Sequence, residues 1–152
     1  GLGTFMLTGY VPTTERSSER YPLLLTTGRI LTQYNSGTQT RRSANSQWHP
    51  EDVLEISAAD AIARGIRDGE QVQVSSRFGS TQLKAVYSQR VNPGVVYTTF
   101  HHAESRVNAL TSDRSDWATN CPEYKVTAVE VLRVAAPAGV SAASTQASEV
   151  LA

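Results

Sequence analysis

Two short polar segments in the first third of the chain carry residue types suited to binding an anion. Residues 26–29 read Thr-Thr-Gly-Arg and follow an apolar run. Glycine lets backbone amides approach a ligand closely, and a guanidinium binds phosphate with two parallel hydrogen bonds. Residues 35–42 follow, with small hydroxyl side chains, Gly37 and the adjacent Arg41 and Arg42. Either segment alone is more simply a polar turn, but two so close together favour a phosphate-bearing ligand.

The three histidines and the single cysteine are the other candidates for chemistry. His101 and His102 are neighbours at the end of a predicted strand, and His49 lies far from them in the sequence. Adjacent residues of a strand point to opposite faces, so the pair is unsuited to chelating one ion, and the spacing matches no zinc pattern. Cys121 needs a nearby base to act as a nucleophile, and its spacing to the histidines indicates none. We therefore predict no metal site and no catalytic residue in this chain.

Composition narrows the class of protein. The chain has 152 residues, with 14 lysines and arginines against 14 aspartates and glutamates. A net charge of zero argues against a general nucleic-acid binder, and one cysteine rules out an internal disulfide framework. No apolar run approaches the roughly 18–20 residues of a membrane span, and the first residues lack the pattern of a secretory signal. These features predict a soluble, cytoplasmic module.

The elements that position these residues are mostly strands. One short helix is predicted from Ser57, whose hydroxyl can accept from the amide of Asp60, to a cap at Gly65. Gly79 lies in the link of a predicted hairpin. Many short strands with little helix favour a closed barrel, which leaves no exposed sheet edge. The predicted strands are residues 23–26, 53–56, 71–75, 81–87, 95–100 and 126–134.

Three regions are predicted along the chain. Residues 1–20 lack hydrophobic periodicity and are interpreted as a linker from a preceding domain. Residues 21–134 form the domain itself. Residues 135–152 are mostly small residues without an aromatic side chain, which predicts a flexible tail or a weak helix.

Taken in order, these motifs resemble the C-terminal molybdopterin-dinucleotide-binding domain of the molybdenum and tungsten oxidoreductases related to dimethyl sulfoxide reductase. The resemblance runs over residues 21–134. A closer resemblance is to the alpha (large) subunit of cytoplasmic NAD-dependent formate dehydrogenases. Periplasmic nitrate reductases and other formate dehydrogenases are similar but usually carry histidine where Asn35 stands. The general resemblance is carried by residues 25–31, 36–42, 60–74, 108–111 and 122–125, and the closer one by residues 34–37, 96–102 and 116–125.

The resemblance implies a mainly β fold, a six-stranded double-psi β-barrel with short helices. It also implies a bis(molybdopterin guanine dinucleotide) cofactor carrying molybdenum or tungsten. Phe100 occupies a position near the substrate channel. The cofactor-binding residues that it implies or favours are Thr27, Gly28, Arg29, Ile30, Leu31, Asn35, Ser36, Gly37, Arg41, Arg42, Asn108, Tyr124 and Lys125.

In the whole enzyme, the resemblance implies oxidation of formate to carbon dioxide. Electrons would pass through iron–sulfur clusters to FMN and NAD on partner subunits. The metal ligand and the catalytic side chains lie in preceding domains, so we expect a C-terminal fragment that is not catalytic alone. Two alternatives stay open at this point: a freestanding double-psi barrel acting as a binding or adaptor module, and a small enzyme using Cys121 or His101.

Overall fold

Six short strands and one α-helix make up the regular structure of residues 1–134. The computed structural model describes residues 1–134, so the predicted tail at 135–152 lies outside the described residues. The strands are β1 (Leu23–Gly28), β2 (Val53–Ile56), β3 (Gln71–Ser75), β4 (Ser80–Tyr87), β5 (Val95–Thr99) and β6 (Thr127–Arg133), and the helix is α1 (Ala58–Ala63). Four single 3₁₀ turns lie at Thr40–Arg42, Ala44–Gln47, Ala103–Ser105 and Val107–Ala109.

The strands close into a barrel in the order β1-β5-β2-β4-β3-β6. The pairs β1/β5 and β2/β4 are parallel, and the other four pairs are antiparallel. Closure pairs both edges of every strand, which removes the exposed edges that an open sheet of this length would present. The prediction of a six-stranded double-psi β-barrel with short helices is confirmed.

Period-two alternation builds the barrel core. In β1, β3 and β5 every second side chain is buried, because successive side chains of a strand point to opposite faces. The fully enclosed side chains are mostly branched aliphatic residues, which suit a pleated surface. The largest of them are Leu23, Leu25, Leu54, Ile56, Ile66, Val72, Val74, Val96, Val107, Leu110 and Val129.

The helix begins and ends as predicted. The Ser57 hydroxyl accepts from the Asp60 amide at 3.1 Å, and the Gly65 amide donates to the carbonyl of Ile62. The Asp60 carboxylate also accepts from the amide of Gly94 at 2.7 Å, which ties α1 to the turn before β5. Within residues 1–134, no helix is long and apolar enough to cross a membrane.

The strand ends differ slightly from the predicted ones. β1 continues to Gly28 rather than stopping at Thr26, because Thr27 and Gly28 pair with Thr98 and Thr99 of the parallel strand β5. β5 ends one residue earlier than predicted, before Phe100. The two parallel strands therefore finish side by side, and the loops that follow them begin at the same end of the barrel.

Glu15 shows that part of the predicted linker packs on the barrel. Its side chain is 4% exposed, and its carboxylate accepts from the amide of Ala128 in β6 and from Arg77, both at 3.1 Å. Sequence analysis did not single out Glu15, because the segment around it is polar and has no hydrophobic period. The domain boundary at residue 20 remains a prediction.

We expect Glu15→Ala to lower the free energy of unfolding by about 2 kcal/mol, because the buried Ala128 amide loses a charged acceptor. Urea unfolding of the chain measures the change. Glu19→Ala is the matched control, since Glu19 is exposed, and it should stay within about 0.5 kcal/mol. Equal losses in the two variants would show that the Glu15 contact contributes no stability.

Candidate functional site

A cavity of about 390 Å³ lies where β1 and β5 end together. Arg29, the first residue after β1, and Phe100, the first after β5, both line it. The remaining wall comes from the long connection between β5 and β6, through Asn108, Thr111, Pro122 and Tyr124. Four residues predicted from three separate segments are thus brought to one cavity.

A second cavity of about 280 Å³ shares Phe100 and Asn108 with the first. Ser36, another predicted residue, lines it, together with His102, Ala103 and Val107. Arg106 also lines it and was not predicted, since a single arginine between 3₁₀ turns gives no local signal. Its backbone is left-handed at φ +47°, a conformation uncommon outside glycine.

The segment before β6 is tied to the end of β1 by two hydrogen bonds. The Thr27 hydroxyl donates to the carbonyl of Tyr124 at 2.8 Å, and the Lys125 ammonium donates to the carbonyl of Thr27 at 2.6 Å. The ammonium also lies 5.0 Å from the centre of the Tyr124 ring. These contacts join positions almost a hundred residues apart and hold Tyr124 against the larger cavity.

Gly28 permits the close approach that fixes Arg29. A Cβ atom at Gly28 would lie 2.5 Å from the hydroxyl of Tyr97, and that hydroxyl donates to the carbonyl of Arg29 at 3.1 Å. Burial raises the pKa of Tyr97, so the hydroxyl keeps its proton and remains a donor. The glycine predicted for ligand approach is therefore also required by the packing of Tyr97.

His101 connects the loop after β1 to the loop after β5. It is fully buried, and its Nε2 accepts from the amide of Ile30 at 3.2 Å. Its Nδ1 lies 2.5 Å from the carbonyl of Asn35, whose backbone is left-handed at φ +47°. Both contacts fall within the predicted cofactor-binding loop.

Asp52 organises the first residues after β5. Its buried carboxylate accepts from the amides of His101 and His102, at 3.1 and 2.9 Å, and from the hydroxyls of Thr99 and Ser105. Burial alone would raise the pKa of Asp52, but these hydrogen bonds outweigh burial and lower it. Sequence reasoning missed this residue, because its partners lie about fifty positions away.

Five of the predicted residues line the two cavities, namely Arg29, Ser36, Phe100, Asn108 and Tyr124, and the other nine do not. Arg41 forms a salt bridge with Glu104 at 3.0 Å and lines a separate cleft of about 370 Å³. Arg42 is exposed on a 3₁₀ turn, and the Leu31 side chain is fully exposed. Arg41 and Arg29 both lie in short polar segments of the sequence. In the structure Arg41 pairs with the distant Glu104, whereas Arg29 lines the larger cavity.

His101 and Cys121 have surroundings that do not suit the roles of base and nucleophile. Both ring nitrogens of His101 contact backbone groups, which leaves neither free to act as a base. Cys121 is exposed, and its amide donates to Asp116. Hydrogen bonds from Thr119, Cys121 and Ala118 lower the pKa of Asp116 to about 2. In the part of the chain that the structure describes, no three His, Cys, Asp or Glu side chains come together as a metal site would require.

The electrostatics of the two cavities suit a phosphorylated ligand. Arg29 lines the larger cavity and Arg106 the smaller one, and Lys125 follows Tyr124, which lines the larger. All three are exposed, and none forms a salt bridge within residues 1–134. Arg29 also lies 5.8 Å from the centre of the Tyr34 ring, an attraction typical of cation–π contacts. Guanidinium and ammonium groups of this kind are suited to binding a pyrophosphate.

Comparison with known proteins places this geometry in a family. The chain is 42% identical over 135 residues to F420-dependent formate dehydrogenase 2 subunit alpha of Methanococcus maripaludis, and 37% identical to F420-dependent formate dehydrogenase subunit alpha of Methanocaldococcus jannaschii. Each match covers 88% of this chain and 20% of the relative, so the chain spans about a fifth of the length of these curated relatives.

The structure of acetylene hydratase from Pelobacter acetylenicus superposes with a TM-score of 0.61, over 75% of this chain and 18% of that one. Its 16% identity supports the fold alone. Residues 23–128 match the family described as "Molydopterin dinucleotide binding domain", and this range contains β1, β5 and every residue that lines the two cavities. The chain therefore belongs to the molybdopterin dinucleotide binding domain family.

Proposed function

We propose that this chain binds a bis(molybdopterin guanine dinucleotide) cofactor as a domain of a formate dehydrogenase alpha subunit. The observation that carries the proposal is the pair of cavities at the ends of β1 and β5, lined by Arg29 and Arg106, neither of which forms a salt bridge inside residues 1–134. Support for the enzyme class comes from the relatives, whose names are those of formate dehydrogenase alpha subunits. The remaining parts of the cofactor would contact preceding domains.

The predicted residues divide into two roles in this proposal. Arg29 and Lys125 neutralise the pyrophosphate, since each places an exposed cation at the loop ends. Asn108 offers amide donors and an acceptor to the pterin, and Phe100 supplies an apolar wall shared by both cavities. The amides of Ile30, Gln33, Tyr34 and Gly37 already donate within the chain, so other amides of the 28–37 loop would complete the donor set.

Two buried side-chain atoms in that loop add to the fit. The amide nitrogen of Gln33 and the hydroxyl of Thr32 have no hydrogen-bond partner within the described residues. A buried polar group without a partner costs free energy comparable to a lost hydrogen bond. A phosphorylated ligand against this loop supplies acceptors for such donors.

The chain's own contribution is binding and orientation. The bound molybdenum or tungsten centre supplies the two-electron chemistry that oxidises formate. This domain would hold the dinucleotide and exclude water from one side of it. The iron–sulfur clusters, FMN and NAD implied by the resemblance belong to the remainder of the enzyme, as do its partner subunits, and a cytoplasmic location stays a prediction.

The electron acceptor of the assembled enzyme is either NAD or F420 in this proposal. The sequence resemblance favours NAD, whereas the curated relatives are F420-dependent by name. Residues outside this domain select the acceptor in our proposal. Formate oxidation by the assembled enzyme, measured in parallel with NAD and with F420, distinguishes the two.

The cofactor proposal is tested by Lys125→Ala and Asn108→Ala in the assembled enzyme. We expect the content of guanine dinucleotide and pterin, measured after acid release, to fall by about tenfold or more for Lys125→Ala, because a charged phosphate contact is removed. Asn108→Ala loses neutral hydrogen bonds, so its decrease should be smaller.

The matched control is Lys84→Ala. Lys84 lies on the separate cleft, where it forms a half-exposed salt bridge with Glu51. The cofactor content of the Lys84→Ala enzyme should equal that of the unchanged enzyme. Normal content in both Lys125→Ala and Asn108→Ala would contradict the roles proposed for these residues. A protein that contains no dinucleotide before any substitution would instead favour the freestanding adaptor.

A further inference from the structure

His101 occupies an unusual place for a titratable side chain. It has no solvent exposure, and its imidazole lies between the two loops that begin at the ends of β1 and β5. Its ring contacts the loop after β1 at Ile30 and Asn35, while its own amide is held by Asp52. The loop also packs on the His101 backbone, since a Cβ atom at Gly37 would lie 2.6 Å from the His101 carbonyl.

The two ring contacts determine the protonation state of His101. The Ile30 amide is only a donor, so Nε2 must carry the accepting lone pair. The Asn35 carbonyl is only an acceptor, so Nδ1 must carry the proton. The arrangement is therefore satisfied by the neutral Nδ1–H tautomer alone. An imidazolium would direct an Nε2–H group at the Ile30 N–H.

We propose that neutral His101 is a positioning residue that holds the 29–37 loop in place, and that protonation of its Nε2 releases this loop. The loop contains residues predicted to bind the cofactor, so the consequence for cofactor retention rests on the proposed function. The positioning of the loop by His101 does not rest on the proposed function, because it consists of contacts within this chain.

The other charged groups near His101 change little over the pH range in which a histidine titrates. Arg41 packs on Gly37, and Arg29 precedes Ile30; both stay cationic. Asp52 and Glu104 stay ionised, because hydrogen bonds lower the pKa of each carboxyl group. His102, whose Nδ1 lies 3.3 Å from Asp52, is the other histidine beside these groups.

The direction of the pH effect follows from the tautomer. The held loop requires the neutral ring, so lowering the pH favours the released loop. Releasing one hydrogen bond of ordinary strength raises the open population about fivefold, and repulsion between the two N–H groups adds to this. The loop should therefore loosen on acidification while the barrel strands stay closed.

Hydrogen exchange tests the release directly. The assembled enzyme is compared with and without cofactor at about pH 7.5 and about pH 5.5, on either side of an ordinary histidine pKa. After correction for intrinsic exchange, we expect the protection of peptides covering residues 29–37 to fall about fivefold or more at the lower pH. Peptides from β3 and β4, residues 71–87, serve as the internal reference and should not change.

Two substitutions separate titration from packing. His101→Gln keeps an acceptor and a donor but does not titrate, so we expect protection near the original value at the higher pH and no loss at the lower one. His101→Leu keeps the volume without either polar atom, so protection should be low at both. His102→Gln and His49→Gln are the controls, and both should retain the pH response; His49 is exposed.

Several results would overturn the proposal. One is a pH response that persists in His101→Gln or disappears in His102→Gln, and another is a 29–37 loop whose protection is independent of pH. If His101→Gln does not fold, ¹⁵N chemical shifts of the His101 ring in the unchanged protein report its tautomer. An Nε2–H tautomer at neutral pH would contradict the proposal that His101 positions the 29–37 loop. A pH response without cofactor, in an enzyme that never binds the dinucleotide, would refute the proposed function and leave this inference intact.

Discussion

Replacing Asp52 with alanine is expected to lower the free energy of unfolding by about 3–5 kcal/mol, because a buried charged acceptor is removed from four donors. The amides of His101 and His102 would be left buried without an acceptor. The total free energy of unfolding of a native domain is roughly 5–15 kcal/mol, so the expected loss is a large share of it. Urea unfolding of the chain measures it.

The same carboxylate makes stability depend on pH in a definite direction. The pKa of Asp52 is lowered in the folded chain, so its contribution is present above the ordinary pKa near 3.8 and is lost as the pH falls through the folded value. The unchanged chain should lose this contribution in acid, below about pH 4. Asp52→Ala should lack that part of the acid dependence.

Two further variants keep the Asp52 prediction open to contradiction. Glu51→Ala removes the neighbouring carboxylate, which forms a half-exposed pair with Lys84, and should cost no more than about 1 kcal/mol. Asp52→Asn retains the shape of the side chain but turns one acceptor into a donor. Its loss of unfolding free energy should therefore lie between those of Asp52→Ala and Glu51→Ala. If Asp52→Ala and Glu51→Ala cost the same, the network around Asp52 does not stabilise the fold.

Gly37→Ala is expected to have the second largest effect. Gly37 has φ +71°, and an added Cβ would lie 2.6 Å from the backbone carbonyl of His101 and from the Arg41 side chain. The left-handed backbone costs about 1–2 kcal/mol for a residue with a side chain, and the clash with backbone adds about 1–3 kcal/mol. Urea unfolding of the chain should show a loss of free energy equal to the sum of these two costs. The cofactor content of the assembled enzyme should also fall.

Gly94 provides a matched control for this substitution. It has a similar backbone, φ +87°, but a Cβ there would meet nothing within 4 Å. Gly94→Ala should therefore cost only the backbone strain, about 1–2 kcal/mol, and should leave cofactor content unchanged. Equal losses of stability in the two variants would show that the contact between Gly37 and His101 is not restrictive.

Sequence reasoning succeeded where the deciding interactions are local. The helix at Ala58–Ala63 was predictable because Ser57 and Asp60 make its cap within three residues. The six strands were predictable because alternation every two residues is visible in any short window. The family resemblance added the barrel topology, which spacing alone does not specify.

Sequence reasoning failed where a residue's partner is distant in the chain. Glu15 lies in a segment interpreted as a linker, yet it accepts from an amide 113 positions later. Arg41 and Arg29 have similar local surroundings, but Glu104 pairs with Arg41 and leaves Arg29 beside the cavity. Arg106 reaches the cavity through two 3₁₀ turns whose packing has no sequence signal.

The sequence by itself determined the strands, the helix cap and, through resemblance, the family, and it predicted loops suited to binding an anion. Only the tertiary structure decided which of those residues meet. Closing the barrel brings His101 to a loop 66 to 71 positions earlier and Lys125 to Thr27, 98 positions earlier. Such contacts depend on strand pairing across the whole chain, whereas propensity and periodicity register only neighbours. For that reason candidate cofactor-binding residues could be proposed from the sequence, but the long-range contacts of the buried Asp52 and His101 could not.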